Sequence, residues 1–148
     1  MTNSVDDDLE GCSADELAFW ELNAKACDFV VEEQAIVYDL EERTARFGER
    51  IIWFARRIPH SPVNNRLIDL VGAATSVGAN YCEADDGVSR PDFKHRISIC
   101  RKEARETKFF LRMVASAEVS LKADARELWK EANSLHRIFS RIWRSTKI

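Results

Sequence analysis

Apolar residues recur at steps of three and four along four stretches of this chain. The first stretch reads Leu40, Thr44, Phe47, Ile51, Phe54 and Ile58, a spacing that predicts an amphipathic helix. It stops at Pro59. His60-Ser61-Pro62 then makes a break, because proline supplies no N–H donor and restrains the residue before it. The second stretch reads Leu67, Leu70, Ala74, Val77 and Tyr81, with Val71 and Gly78 beside the stripe. The third opens at Ser89, a side chain suited to an N-cap, with Pro91 and Asp92 in its first turn. Its stripe is Phe93, Ile97, Cys100, Ala104, Thr107, Leu111 and Val114. The fourth reads Leu121, Ala125, Leu128, Ala132, Leu135, Phe139 and Ile142. Four such helices on short turns bury their stripes most simply as an all-α, antiparallel up-and-down four-helix bundle over residues 38–148. No alternating strand pattern competes with it.

Residues 1–37 read as an acidic N-terminal extension. Ser13 and Glu16 have the spacing of a capping box. A helix from about 14 to 33 is expected there, with Leu17, Trp20, Cys27 and Val31 toward one side. Residues 1–12 carry no periodic signal and are expected to be disordered.

Composition adds limits. At 148 residues the chain is long enough for a real core, and 32% charged residues suit exposed helix faces. No apolar run reaches the roughly 18–20 residues that span a bilayer. The N-terminus lacks the basic, apolar pattern of a signal peptide. Cytoplasmic localisation, without membrane attachment, is the expectation. The formal net charge of −3 hides a division. Residues 1–42 hold 13 acids and one base, whereas residues 43–148 hold 21 bases and 12 acids. An acidic arm is joined to a basic body, a pattern that goes with nucleic-acid surfaces or with tails that mask them.

Candidate chemistry is sparse. Cys12, Cys27, Cys82 and Cys100 form no CxxC pair, and Cys82 and Cys100 fall on helix faces as small apolar fillers. His60, His95 and His136 are scattered. Glu83, Glu103 and Glu106 invite a carboxylate-cluster reading, but bundle di-metal sites need Glu-x-x-His pairs and this chain has none. No glycine-rich phosphate loop, Ser/His/Asp context or activated-cysteine motif occurs. No metal, no cofactor and no enzymatic activity are expected.

The run from Ala73 to Phe93, AATSVGANYCEADDGVSRPDF, is the most distinctive part. Ala73, Ala74, Thr75, Ser76, Gly78 and Ala79 are all small, which lets a neighbouring backbone approach closely. Asn80 then falls on a packed face, where its amide is expected to bond Glu103 or Glu106 and fix the register between helices. Together with YDLEERTARFGERI (38–51), SRPDFKHRISICRKEARETKFFLRM (89–113) and LWKEANSLHRIFSRIWRSTK (128–147), this run resembles a bacterial four-helix-bundle family. Its members are related to proteins encoded in intervening sequences of large ribosomal RNA genes. The chain is also similar to the accessory variability determinant proteins of diversity-generating retroelements. The resemblance covers about residues 38–147. It implies an up-and-down bundle, assembly into a ring with a homopentamer as precedent, and, for the retroelement proteins, nucleic-acid and reverse-transcriptase partners. Where the family often has glutamine, arginine and serine in its second helix, this chain has Asp69, Gly72 and Ala73.

The basic residues of the third helix are the best functional candidates. Lys94, Arg101, Arg105, Lys108 and Arg112 recur at helical steps beside the apolar seam, and Arg56, Arg57 and Arg90 extend the basic surface. Such a stripe rewards phosphate backbones through counterion release. Asn80, Glu83, Glu103 and Glu106 are assigned to structure rather than chemistry. Trp53, Phe109, Phe110, Trp129 and Trp143 lie outside the strict stripes, which favours a further buried surface between subunits. The sequence therefore predicts a non-enzymatic homo-oligomeric adaptor that binds RNA or DNA, with a protein partner as well. The alternative is a purely structural or protein–protein interaction module whose bases are paired within the assembly.

Overall fold

The computed structural model describes residues 12–22 and 39–148, which fall into two compact units. The expected disorder of residues 1–12, and most of the expected helix beyond residue 22, lie outside the described residues.

The first unit contains helix α1, Ala14–Trp20. Ser13 caps it as its spacing suggested, its hydroxyl accepting the Glu16 N–H at 3.1 Å. The helix does not run on toward residue 33. Glu21 turns into the left-handed region with φ 58°, and its N–H goes back to Ala18 and Leu17 carbonyls, which closes the helix after two turns.

The second unit is all-α. Its helices are α2 (Leu40–Ala55), α3 (Asp69–Asp85), α4 (Arg90–Ala117) and α5 (Lys122–Ser145). Short 3₁₀ segments at Asn64–Ile68 and Val119–Leu121 lead into α3 and α5. Consecutive helices pack side by side and α5 returns against α2, so the four run alternately up and down around one core. The predicted stripes are that core. Leu40, Thr44, Phe47, Ile51, Phe54 and Ile58 are all buried, as are Ile97, Cys100, Ala104, Thr107, Leu111 and Val114 of α4. Leu121, Ala125, Leu128, Ala132, Leu135 and Phe139 complete it from α5. Tyr81, Phe93 and Ile142, at one end of their stripes, are only half-buried.

Caps mark the helix starts. Asp39 takes φ 52°, a conformation Asp tolerates better than most residues, and accepts the Glu42 N–H at 3.0 Å. Ser89 accepts the Asp92 N–H at 3.2 Å, with Pro91 in the first turn as expected. The turn between α3 and α4 depends on Gly87, where a Cβ would stand 2.9 Å from the Ala84 carbonyl oxygen.

The small residues of α3 serve its contact with α2. A Cβ on Gly78 would meet the Thr44 hydroxyl at 3.0 Å, and Gly48 on α2 faces Thr75 at van der Waals distance. The Thr44 hydroxyl itself folds back onto the Leu40 carbonyl at 2.7 Å, which keeps it satisfied while buried. Ser61-Pro62 forms more than a break. Asn64 is buried, donates to the Pro59 carbonyl at 2.9 Å and to Glu118 at 2.8 Å, and so ties the α2–α3 connection to the end of α4.

Candidate nucleic-acid interface

The bases of α4 follow the seam where α4 packs antiparallel on α5, and they are not equally exposed. Lys94 is half-buried, donates to the Thr146 carbonyl at 3.0 Å and lies 4.7 Å from the centre of the Trp143 ring. A cation at this helix C-terminus satisfies a carbonyl that the helix leaves open. Arg101 sits 5.0 Å from the same ring. Lys108 is 2% exposed and stacks its ammonium 5.1 Å from the Trp129 ring. Its charge therefore acts from inside the seam, held by the aromatic face. Arg105 is exposed and Arg112 half-buried.

The structure separates the outlying bases. Arg90 opens α4 and Arg112 lies 22 residues on, about 33 Å along the axis at 1.5 Å per residue. Arg57 belongs to Arg112's end of the bundle, where it pairs with Asp124 at 2.6 Å. Arg56 beside it lies 5.1 Å from the Trp53 ring. Arg56 and Arg57 thus share no patch with Arg90 and Lys94.

A larger basic surface comes from α5, whose charges lie outside the α4 stripe. Residues 132–148 contain no Asp or Glu but include Arg137, Arg141, Arg144 and Lys147. That acid-free run was the available signal. Antiparallel packing sets it against Lys94, Arg101 and Arg105 of α4, giving a basic α4–α5 side at this end. Asp39, Glu41 and Glu42 open α2 and Glu83, Asp85 and Asp86 end α3, so the α2–α3 side of the same end is acidic.

His136 lies within this basic side, on the buried face of α5. Its imidazole is pushed down to about 4, first by burial and then by the charges of Lys108, Arg101, Arg105 and Arg144. It is neutral at physiological pH. Among the described residues its Nδ1 is enclosed without a hydrogen-bond partner, and so is the Ser140 hydroxyl one turn later.

Asn80 does not reach Glu103 or Glu106. Its amide donates to the Ser76 carbonyl at 2.8 Å and accepts from Arg96 at 3.4 Å, while Arg96 pairs with Glu83 at 2.6 Å. Register explains the difference. Asn80 stands level with the first turns of α4, and Glu103 is seven residues beyond Arg96, about 10 Å farther along the helix. The register device is thus an Asn80–Arg96–Glu83 group. Glu103 has its carboxyl pushed up by burial and by the neighbouring Glu106.

Other chemistry does not assemble. Among the described residues no three metal-ligating side chains converge, and Cys82 and Cys100 are free thiols. Burial pushes the Cys100 thiol up to about 12, which makes it an inert core filler. Cys82 is half-buried rather than core. A depression of about 350 Å³ lies between α2 and α5, lined by Asp39, Glu42, Arg43, Arg46, Phe47, Arg50 and Glu131. Its Arg43 is bound in two places by Glu131, at 2.7 and 3.0 Å, so it is a joint between helices. Among the described residues no helix is long and apolar enough to cross a membrane.

Comparison with protein-family models and with curated proteins finds no match. Among solved structures the fold is similar to a protein of unknown function from the S23 ribosomal protein family of Bacteroides thetaiotaomicron. The TM-score is 0.63 at 21% identity, over 71% of this chain and 98% of that one. At that identity the likeness establishes a shared helical fold.

Proposed function

We propose that this protein is a non-enzymatic, homo-oligomeric adaptor that binds RNA or DNA through the basic α4–α5 side of its bundle. One observation carries the reading. The acid-free end of α5 runs against the basic half of α4, and Arg101, Arg105 and Arg144 all act on His136 from around this seam. A surface of that kind binds phosphate backbones by counterion release and needs no base reading. A ring of identical subunits, five by the precedent of the proteins it resembles, multiplies a modest patch into useful avidity. Membership of the intervening-sequence-related family, a reverse transcriptase or other protein partner, and cytoplasmic location belong to the same reading. The S23 description of the structural neighbour, a protein of unknown function, accords with the family part of that reading alone. The test is a titration of single-stranded and duplex RNA and DNA at two salt concentrations. Affinity should fall steeply with salt, and no binding even at low salt overturns the proposal.

A second reading is a module that binds only protein. Ile52, Trp53, Val63, Ile68, Phe109 and Val119 are exposed, and all belong to the end of the bundle away from Arg90 and Trp143. Such apolar exposure suits a subunit or partner interface. Light scattering that shows a monomer at micromolar concentration counts against oligomeric assembly in either reading.

A further inference from the structure

We propose that Trp53 is a stacking platform for an unpaired base of single-stranded nucleic acid, with Arg50, Arg56 and Arg57 around it serving the phosphates. The inference rests on the nucleic-acid reading and places a second contact on α2, apart from the α4–α5 side.

Two independent observations meet at Trp53. The first is exposure. Trp20 and Trp129 are fully buried and Trp143 half-buried, whereas Trp53 is 66% exposed on the side of α2 away from its core stripe. The Arg56 guanidinium lies over its ring, 5.1 Å from the centre. An aromatic ring open to solvent and backed by an arginine offers a π-face on which any base can stack, whatever its sequence. The second is charge. Residues 50–68 contain Arg50, Arg56, Arg57 and Arg66 and no Asp or Glu. One turn either side of Trp53 stand Glu49 and three arginines, Arg50, Arg56 and Arg57, all exposed. Cations gathered round an exposed ring match a strand that presents bases and phosphates in alternation. A second copy meeting the same face would set arginines against arginines.

The arginines are available in different degrees. The depression between α2 and α5 reaches Arg50, one turn before Trp53. Of the arginines lining it, Arg43 is paired with Glu131 and Arg46 with Glu42, while Arg50 has no carboxylate partner among the described residues. Arg50 is therefore the cation best placed to take a phosphate, through paired N–H donors. Arg57 is paired with Asp124, but both side chains are more than half exposed, and an ion pair of that kind is worth little against a phosphate. The strand lies on the outside of α2, so the bundle need not open to receive it.

The test uses the full chain and a fluorescent twelve-nucleotide oligouridine, set against an abasic phosphodiester strand of the same length. The unaltered protein should bind the base-bearing strand at least about fivefold more tightly, the low end for a base stacked on an aromatic side chain. Trp53→Ala should remove that preference, and Trp53→Phe should keep part of it. Arg50→Gln should weaken binding of both strands. Melting temperature should hold in all three, because both side chains are exposed. A preference that is absent, or that Trp53→Ala leaves intact, overturns the platform while the adaptor reading stands. Light scattering in which Trp53→Ala breaks a larger particle into a smaller one overturns it too, by assigning Trp53 to an interface between copies. A preference that depends on Trp53, in a protein whose affinity Arg101→Gln and Arg105→Gln leave unchanged, upholds the platform and takes binding away from the α4–α5 side. Failure of both strands to bind at low salt sinks the platform and the adaptor reading together.

Discussion

Two glycines of α3 have opposite consequences for a single methyl group. At Gly78 the added Cβ would stand 3.0 Å from the Thr44 hydroxyl and 3.2 Å from its Cβ, and Thr44 is locked onto the Leu40 carbonyl. Gly78→Ala should therefore push α2 and α3 apart and destabilise the protein by about 1–3 kcal/mol. At Gly72 nothing among the described residues lies within 4 Å of the added Cβ. Gly72→Ala should stabilise by up to about 1 kcal/mol, the difference in helix propensity. Urea denaturation of the two variants measures both. His136 gives a pH effect at the same scale. Its folded value of about 4 lies below its ordinary 6.5, held down by burial and by Lys108, Arg101, Arg105 and Arg144. The unfolded chain then binds the extra proton first. Stability should be full above pH 6.5 and fall as the pH drops toward 4, by on the order of 3 kcal/mol at most. His136→Gln should flatten that slope in melting curves recorded across the range.

At the scale of elements, the least regular segment holds the largest unexpected contact. Asn64 anchors the α2–α3 connection to Glu118 at the far end of α4. Asn64→Ala should cost about 1–3 kcal/mol by removing the bonds to the Pro59 carbonyl and to the charged Glu118, read as a fall in melting temperature with the far-ultraviolet helix signal retained. The sequence showed Ser61-Pro62 as an interruption and could not show this tie, because a contact across 54 residues has no periodic signature. The four bundle helices were legible because their stripes repeat at helical steps, and Leu40 to Ile58 went inside as a set. The partner of Asn80 was not legible. Choosing between Arg96 and Glu103 requires the offset between α3 and α4, which the length of the turn through Gly87 decides. The basic site was half legible for the same reason. A stripe on one helix is visible in its spacing, but pairing it with residues 132–148 requires knowing that α5 runs back along α4.

At the scale of the molecule, charge is unevenly spread. Residues 1–37 carry ten acids and one base, while the bundle carries the basic side. Removing residues 1–37 should leave the bundle folded and raise its affinity for nucleic acid at low salt, since a tethered polyanion competes with phosphate. Unchanged affinity in the deleted protein rejects that competition. The bundle has a further asymmetry. Neighbouring helices pack broadly, yet the α2–α5 contact that closes the circle is by far the thinnest, held by Arg43–Glu131 and Arg57–Asp124. Its partners lie 88 and 67 residues apart in the chain. Contacts between neighbours in sequence form early, and closure across a long loop comes late. The chain should thus assemble from α3, α4 and α5 and accept α2 last. In native-state hydrogen exchange α2 should be the first bundle helix to lose protection, opening on its own before the rest melts.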